Sequence, residues 1–246
     1  MLMDPIQHQF ASRLADLQVE LYDSDKQLDQ FERYFRLLVE WNEKMNLTGI
    51  IARDAVYEKH FYDSLTLCLA VDLSEMNLLV DVGSGAGFPA IPLKIAFPHL
   101  QITIIDALAK RIRFLQEVVS QLGLEGVTCL HGRAEDFGRK PEHRDRYDIA
   151  TARAVARLAS LNELCLPFVK PGGSFIAMKG SQVDEELEES KRSVNLLRAE
   201  IARTLSCRLP GEGASRNLIV IRKLDHTPKA YPRKPGIPIK QPLVGK

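Results

Sequence analysis

The sequence predicts an α/β fold, in which a mainly parallel seven-stranded sheet ends in an antiparallel hairpin and follows a helical extension. From residue 78 onward, short apolar runs alternate with helical patterns. This alternation is typical of a parallel sheet that helices cover on both faces. A glycine-rich turn follows the first run, and a short loop joins the last two runs. A loop that short implies antiparallel pairing of the two strands.

Residues 1–77 form the predicted N-terminal helical extension. Between residues 28 and 45, apolar side chains recur at three- and four-residue steps, which places one apolar stripe along a helix. Residues 46–49 are predicted to end this helix, and a second helix is predicted over residues 53–71. The stripe indicates core packing rather than a ligand site.

Residues 78–225 form the predicted core. Its first five strands are predicted at residues 78–82, 101–106, 126–131, 147–151 and 173–178. A charged helix is predicted over residues 182–204, because its acidic first half and basic second half suit the helix dipole. Residues 205–209 and 218–224 are the predicted hairpin strands.

Residues 226–246 form a predicted basic, proline-rich tail that packs on or near the core. Its prolines exclude a regular helix or a central strand. No acidic residue follows Asp225, whereas the tail carries Lys229, Arg233, Lys234, Lys240 and Lys246. A local basic patch is therefore compatible with a formal net charge of only +1 for the whole chain.

Composition argues against several classes of protein. The four cysteines are far apart, so neither a zinc site nor a disulfide framework is expected, and no metal is predicted. The first ten residues lack the apolar core of a signal peptide, and no apolar run reaches the length of a membrane span. A cytoplasmic protein is therefore expected.

The sharpest motif is the glycine-rich turn at residues 81–88, DVGSGAGF. It departs from the dinucleotide fingerprint because Phe88 stands where the third glycine is required, and it lacks the Lys-Ser or Lys-Thr of a phosphate loop. It resembles the first motif of Rossmann-like S-adenosylmethionine methyltransferases. This cofactor is therefore predicted to bind at Gly83, Gly85, Gly87 and Phe88. Asp106 ends the second strand, where it could accept hydrogen bonds from ribose hydroxyls, and Glu135 or Asp136 lies near the expected adenine.

The chain further resembles the glucose-inhibited division protein B family, the bacterial 16S rRNA (guanine-N(7)) methyltransferases G. The resemblance covers most of the chain and rests on an ordered set of motifs: Trp41, Asn42 and residues 46–48; His60, Asp63 and Ser64; residues 81–92 (DVGSGAGFPAIP); Lys110, Arg111, Phe114 and Leu115; residues 133–136 (RAED), 151–155 (TARAV), 179–180 and 231–234 (YPRK). Departures from the family pattern are Ala90, Ala107 and Ala109, and the last two weaken the hydrogen bonding expected beside Asp106.

The resemblance implies that Gly83, Phe88, Ala134, Glu135 and Arg153 bind the cofactor or line its pocket. It implies as substrate a guanine in the decoding-region loop of small-subunit rRNA. The N(7) lone pair of guanine carries no proton, so positioning without a general base would suffice. Arg153 is the candidate catalytic residue, with a positioning role. The alternative is a structural ion pair with a nearby carboxylate.

The expected partner is 16S rRNA or the small ribosomal subunit, with no membrane contact, no obligate protein partner and a monomeric state. Any of the basic candidates could instead be a solvated surface charge, and His60 could be a satisfied helix histidine. Two other functions stay open, namely a methyltransferase for a small molecule or protein, and a non-catalytic nucleotide-binding sensor. The RNA-binding candidates are Lys110, Arg111, Lys179, Arg233 and His60.

Overall fold

The computed structural model describes residues 4–153 and 156–245, so Ala154 and Val155 of the predicted motif and Lys246 of the tail lie outside it. One sheet has the strand order β3-β2-β1-β4-β5-β7-β6. The first five strands are parallel, and β7 pairs antiparallel with both β5 and β6, which confirms the predicted fold class. The strands are β1 (Leu78–Val82), β2 (Gln101–Asp106), β3 (Val127–His131), β4 (Tyr147–Arg153), β5 (Val169–Lys179), β6 (Ala199–Arg208) and β7 (Ser215–Lys223).

Helices precede the sheet and flank it. Among the described residues, none of them combines the length and the apolar character that crossing a bilayer requires. The predicted second helix is an irregular segment over residues 53–69, in which a π-helical stretch at Tyr57–Tyr62 separates two short α-helices. The α-helices are α1 (Pro5–Leu14), α2 (Ser24–Met45), α3 (Arg53–Val56), α4 (Asp63–Leu65), α5 (Ala90–Ala96), α6 (Ala109–Leu122), α7 (Ala134–Phe137), α8 (Leu158–Cys165), α9 (Asp184–Leu196) and α10 (Ile237–Lys240).

The predicted helix over residues 182–204 is wrong in its last third. Helix α9 ends at Leu196, and Arg198 adopts a left-handed conformation with a φ of 58°. Ala199 then starts β6, which pairs with β7 from Lys223 back to Ser215. Strand β6 lies at the sheet edge, where most of its side chains are at least partly exposed. Its polar, arginine-containing sequence therefore resembles a solvated helix, and only the pairing with β7 makes it a strand.

Helix α2 packs directly on the sheet domain. Gln27 Nε2 donates to the Ile95 carbonyl at 2.6 Å, and Tyr34 Oη donates to the Ala86 carbonyl inside the glycine turn. Phe31, Tyr34 and Phe61 belong to the same buried cluster as the side chains between the sheet and its helices. The helical extension therefore shares one hydrophobic core with the sheet, and its Tyr34 contacts the core-facing side of the glycine turn.

The tail is held on the core by hydrogen bonds and ion pairs of partly buried arginines. Arg144 NH2 donates to the Thr227 carbonyl at 2.6 Å, and Arg233 forms an ion pair with Glu163 at the same distance. The Glu163 side chain is completely buried. A buried carboxylate that loses its partner is strongly destabilising, so the order of the tail and the stability of the core are linked.

Arg233→Ala is expected to lower the free energy of unfolding by about 3–5 kcal/mol, because Glu163 is left buried without its counter-charge. The neighbouring Lys234 is exposed, so Lys234→Ala is the matched control and should change stability by less than about 0.5 kcal/mol. Urea unfolding of both variants measures the difference. Equal stabilities would mean that the Arg233–Glu163 pair does not hold the tail.

Candidate active site

A cavity of about 550 Å³ opens at the carboxyl ends of β1, β2 and β4. Strands β1 and β4 are adjacent in the sheet, and the strand order reverses there, which is where α/β proteins bind ligands. The residues that line the cavity are Leu47, Thr48, His60, Gly83, Ser84, Gly85, Ala86, Phe88, Asp106, Ala107, Leu108, Arg111, Arg133 and Arg153.

The glycine turn exposes its backbone to this cavity. Gly83 and Gly85 have φ values of 74° and 63°, in the left-handed region that favours glycine. Gly87 lies under the turn with a φ of 101°, where an added Cβ would lie 2.7 Å from the side chains of both Ile91 and Tyr34. The turn can therefore approach a ligand closely on its outer side, while its inner side accepts only glycine at position 87.

Asp106 ties the turn to the end of β2. Its Oδ2 accepts from the Gly85 N–H at 3.1 Å, and its Oδ1 accepts from the Leu108 N–H at 2.8 Å. Arg111 NH1 lies 3.4 Å from Oδ2. A carboxylate has about four acceptor directions, so Asp106 keeps capacity for a hydroxyl donor from a ligand in the cavity.

Asp81 lies at the base of the turn and is fully buried. Its Oδ2 accepts from Ser84 Oγ at 2.5 Å and from the Ala90 N–H at 3.3 Å, whereas its Oδ1 has no partner among the described residues. Burial raises the pKa of Asp81 to about 7. A buried polar atom without a partner is uncommon, and this one suits a water molecule or an ammonium group.

Arg153 ends β4 and reaches back to the helical extension. Its NH1 donates to Asp63 Oδ2 and to the Lys59 carbonyl, both at 3.2 Å. The guanidinium also lies over the Phe88 ring, 4.9 Å from its centroid. Arg153 therefore forms the ion pair with a carboxylate that was the alternative to a positioning role. Its side chain also lines the cavity.

His60 stacks on Phe88, with ring centroids 4.4 Å apart. Burial, followed by the positive charge of Arg153, lowers the pKa of His60 to about 3, so the ring is neutral at physiological pH. Arg153 NH2 lies 3.3 Å from Nδ1, and an arginine can only donate. The Lys59 carbonyl also lies 3.1 Å from Nδ1, so this nitrogen contacts both a donor and an acceptor, and Nε2 lies 2.8 Å from Thr48 Oγ1.

The structure brings some of the predicted site residues together and separates others. The cavity lining includes Gly83, Gly85, Phe88, Asp106, Arg111, His60 and Arg153, but not Gly87, Ala134 or Glu135. Glu135 Oε1 accepts from the tail Gly236 N–H at 2.7 Å. Lys110 is exposed beside Arg111.

Two of the basic candidates are engaged within the protein. Lys179 Nζ forms an ion pair with Glu186 at 2.6 Å, and Arg233 is bound to Glu163. Neither lines the main cavity. Their roles in RNA binding stay predictions. An RNA phosphate would have to compete with Glu186 for Lys179 and with Glu163 for Arg233.

Four residues at the site escaped the sequence-based interpretation. Thr48 and Asp63 belong to the quoted motifs, so their position could have been a signal, but nothing indicated that they meet Arg153 and His60. Arg133, which begins the quoted motif at residues 133–136, precedes α7 and lines the cavity. Arg216, at the start of β7, contacts Asp63 through Nε at 2.9 Å, and no local pattern marks it.

Comparison with known proteins adds sequence relatives of similar length. The family model described as rRNA small subunit methyltransferase G matches residues 27–219. The Ribosomal RNA small subunit methyltransferase G of Bacillus subtilis is 52% identical, covering 96% of this chain and 98% of the relative. The protein of the same name from Brevibacillus brevis is 51% identical with the same coverage.

Solved structures resemble this chain in fold. An O-methyltransferase from Bacillus cereus in complex with SAH matches with a TM-score of 0.55 at 15% identity, covering 78% of this chain and 91% of that one. The mitomycin 7-O-methyltransferase matches with a TM-score of 0.53 at 18% identity, covering 77% and 60%. These similarities support the Rossmann-like methyltransferase architecture.

His60→Gln is expected to reduce the sensitivity of folding to acid. The folded pKa of His60 is about 3 against an ordinary 6.5, so below pH 6.5 the unfolded chain takes up a proton that the folded chain refuses. Stability present above pH 6.5 is therefore lost as the pH falls. Between pH 7 and pH 4.5 the wild type should lose roughly 2–3 kcal/mol more than the variant. Urea unfolding at several pH values measures this, and His8→Gln, at an exposed position, should keep the wild-type slope. Identical slopes in His60→Gln and wild type would contradict a neutral, buried His60.

Proposed function

This chain belongs to the rRNA small subunit methyltransferase G family, and we propose that it transfers a methyl group from S-adenosylmethionine to N(7) of a guanine in the decoding-region loop of 16S rRNA. The observation that carries the proposal is the cavity at the carboxyl ends of β1, β2 and β4, where the glycine turn, Asp106 and Arg153 meet.

The residues of the cavity fit S-adenosylmethionine. The backbone of Gly83 and Gly85 allows close approach of the methionine and ribose portions. Asp106 has acceptor capacity left for ribose hydroxyls. Ala134 and Glu135 at the start of α7 remain proposed neighbours of the adenine. When bound, the cofactor supplies an electrophilic methyl group on a sulfonium.

The chemistry of the side chains suits an acceptor that needs no deprotonation. Both ring nitrogens of His60 are engaged by protein groups, Nδ1 by Arg153 and the Lys59 carbonyl and Nε2 by Thr48. Both oxygens of Asp106 accept from protein N–H groups. Neither residue is arranged to remove a proton. The N(7) lone pair of guanine lies in the ring plane and is already nucleophilic. Positioning and exclusion of water are therefore what this protein has to supply.

Arg153 is proposed to hold the reacting groups in place. Its guanidinium connects β4 to the helical extension through Asp63 and covers the Phe88 ring beside the glycine turn. A displacement of about 1 Å at a reacting centre can cost on the order of a hundredfold in rate. Arg111 and Lys110, at the cavity mouth and beside it, are proposed to contact RNA phosphates.

The decisive experiment incubates the protein with labelled S-adenosylmethionine and small-subunit rRNA, both naked and in particles, from cells that lack it. Digestion and mass spectrometry then identify the methylated nucleoside. A single 7-methylguanine in 16S rRNA is expected. Tight cofactor binding without incorporation into either form would refute rRNA as the substrate. It would favour a small-molecule or protein methyltransferase, or a sensor.

Arg153→Ala is expected to lower methylation by about a hundredfold or more in the same assay, because the guanidinium no longer orders the cavity. Circular dichroism should show that the variant stays folded. The matched control is Arg157→Ala, which removes a half-exposed arginine paired with Glu189 on the surface and should methylate normally. Near-normal methylation by Arg153→Ala would refute the positioning role.

A further inference from the structure

A second cavity of about 330 Å³ shares a wall with the first. His60 and Arg153 line both cavities. The second one lies at the carboxyl ends of β4 and β5, where the antiparallel β7 begins, because Asn217 pairs with Lys179. Ile50 and Met178 give it apolar walls. A group bound there would lie against the cofactor cavity, as an acceptor in a direct transfer must.

Asp63 is the single acidic residue among the described residues that line the second cavity. Its carboxylate is held from two sides. Arg153 NH1 lies 3.2 Å from Oδ2, and Arg216 Nε lies 2.9 Å from Oδ1. Each oxygen accepts one hydrogen bond from these partners and retains a further acceptor direction. The two arginines therefore present a fixed, buried carboxylate with both oxygens still able to accept.

We propose that the second cavity binds the target guanine and that Asp63 reads the Watson–Crick edge of that base. The assignment rests on the proposed function. Around its rim, guanine presents N(7) on the Hoogsteen edge, and then O6 as acceptor, N1–H as donor and the N2 amino group as donor on the Watson–Crick edge. Arg153 lines both cavities, whereas Asp63 lines only the second, so from the shared wall outward the protein presents the N–H groups of Arg153 and then the two oxygens of Asp63.

These two orders match. Arg153 donates to O6, and the Asp63 oxygens accept from N1–H and from the N2 amino group. N(7), next to O6, then faces the shared wall and the methyl donor behind it. Adenine reverses the pattern, because its amino group would face Arg153 and its unprotonated N1 would face the carboxylate. A site built on hydrogen bonds rejects such a base, since donor would then face donor at Arg153 and acceptor would face acceptor at Asp63.

The test uses 16S rRNA in which the guanine that the wild-type protein methylates is replaced by a base analogue, assembled into small-subunit particles. Inosine keeps O6 and N1–H but lacks the 2-amino group, so kcat/KM should fall about tenfold or more, the effect of one hydrogen bond to a charged group. 2-Aminopurine lacks O6 and N1–H and should fall further. Equal kcat/KM for guanine and inosine would overturn the assignment.

Asp63→Asn tests whether this carboxylate recognises the N1–H and N2 amino groups of guanine. One of the two acceptors becomes a donor, so the ratio of kcat/KM for guanine over inosine should shrink to within about threefold. Asp54→Asn, an exposed change on the same helical segment, is the matched control and should keep the wild-type ratio.

If Asp63 only positions Arg153, Asp63→Asn would lower kcat/KM for guanine and for inosine by the same factor. The ratio of the two would then stay at its wild-type value, and that outcome overturns the proposal. If Asp63→Asn does not fold, the analogue series with the wild-type protein decides. Absence of 7-methylguanine from unmodified rRNA would instead refute the proposed function, and this assignment with it.

Discussion

The contact of Arg153 with Asp63 is the interaction on which the site depends. It joins the end of β4 to the irregular helical segment of the N-terminal extension, and it is nearly buried on both sides. A buried charge needs its partner, so this ion pair fixes the position of the strand end relative to the helical extension. Arg153 also contacts His60 Nδ1 and covers Phe88, and both Arg153 and His60 line the two cavities.

A second constraint acts on the core-facing side of the glycine turn. Tyr34 binds the Ala86 carbonyl, and the space beside Gly87 is filled by Tyr34, Ile91 and Leu115. The outer face of the turn is left to a ligand, while the inner face is part of the core. A loop of small residues thus keeps a defined shape because packing acts together with hydrogen bonds of the turn, such as those from the Gly87 N–H to the Ser84 carbonyl and from the Gly85 N–H to Asp106.

The electrostatics of the site favour binding over proton transfer. His60 is neutral because it is buried beside a permanent cation, and Asp106 is occupied by backbone donors and Arg111. Basic side chains elsewhere serve the fold, as Arg233 does with Glu163 and Lys179 does with Glu186. A near-neutral chain can therefore direct positive charge at selected places while other cations, such as these two, are paired with carboxylates.

The sequence by itself determined the α/β class, the order of strands and helices along the chain and the glycine-rich turn, because apolar periodicity and glycine spacing are local properties. It also placed Asp106 and Arg153 at strand ends. Only the tertiary structure decided that residues 199–208 form an edge strand, since that depends on pairing with β7. It likewise decided which charges are free and which are paired. Asp63, Arg153 and Arg216 are far apart in sequence, and they meet only because β4, β5 and β7 place their ends beside the helical extension.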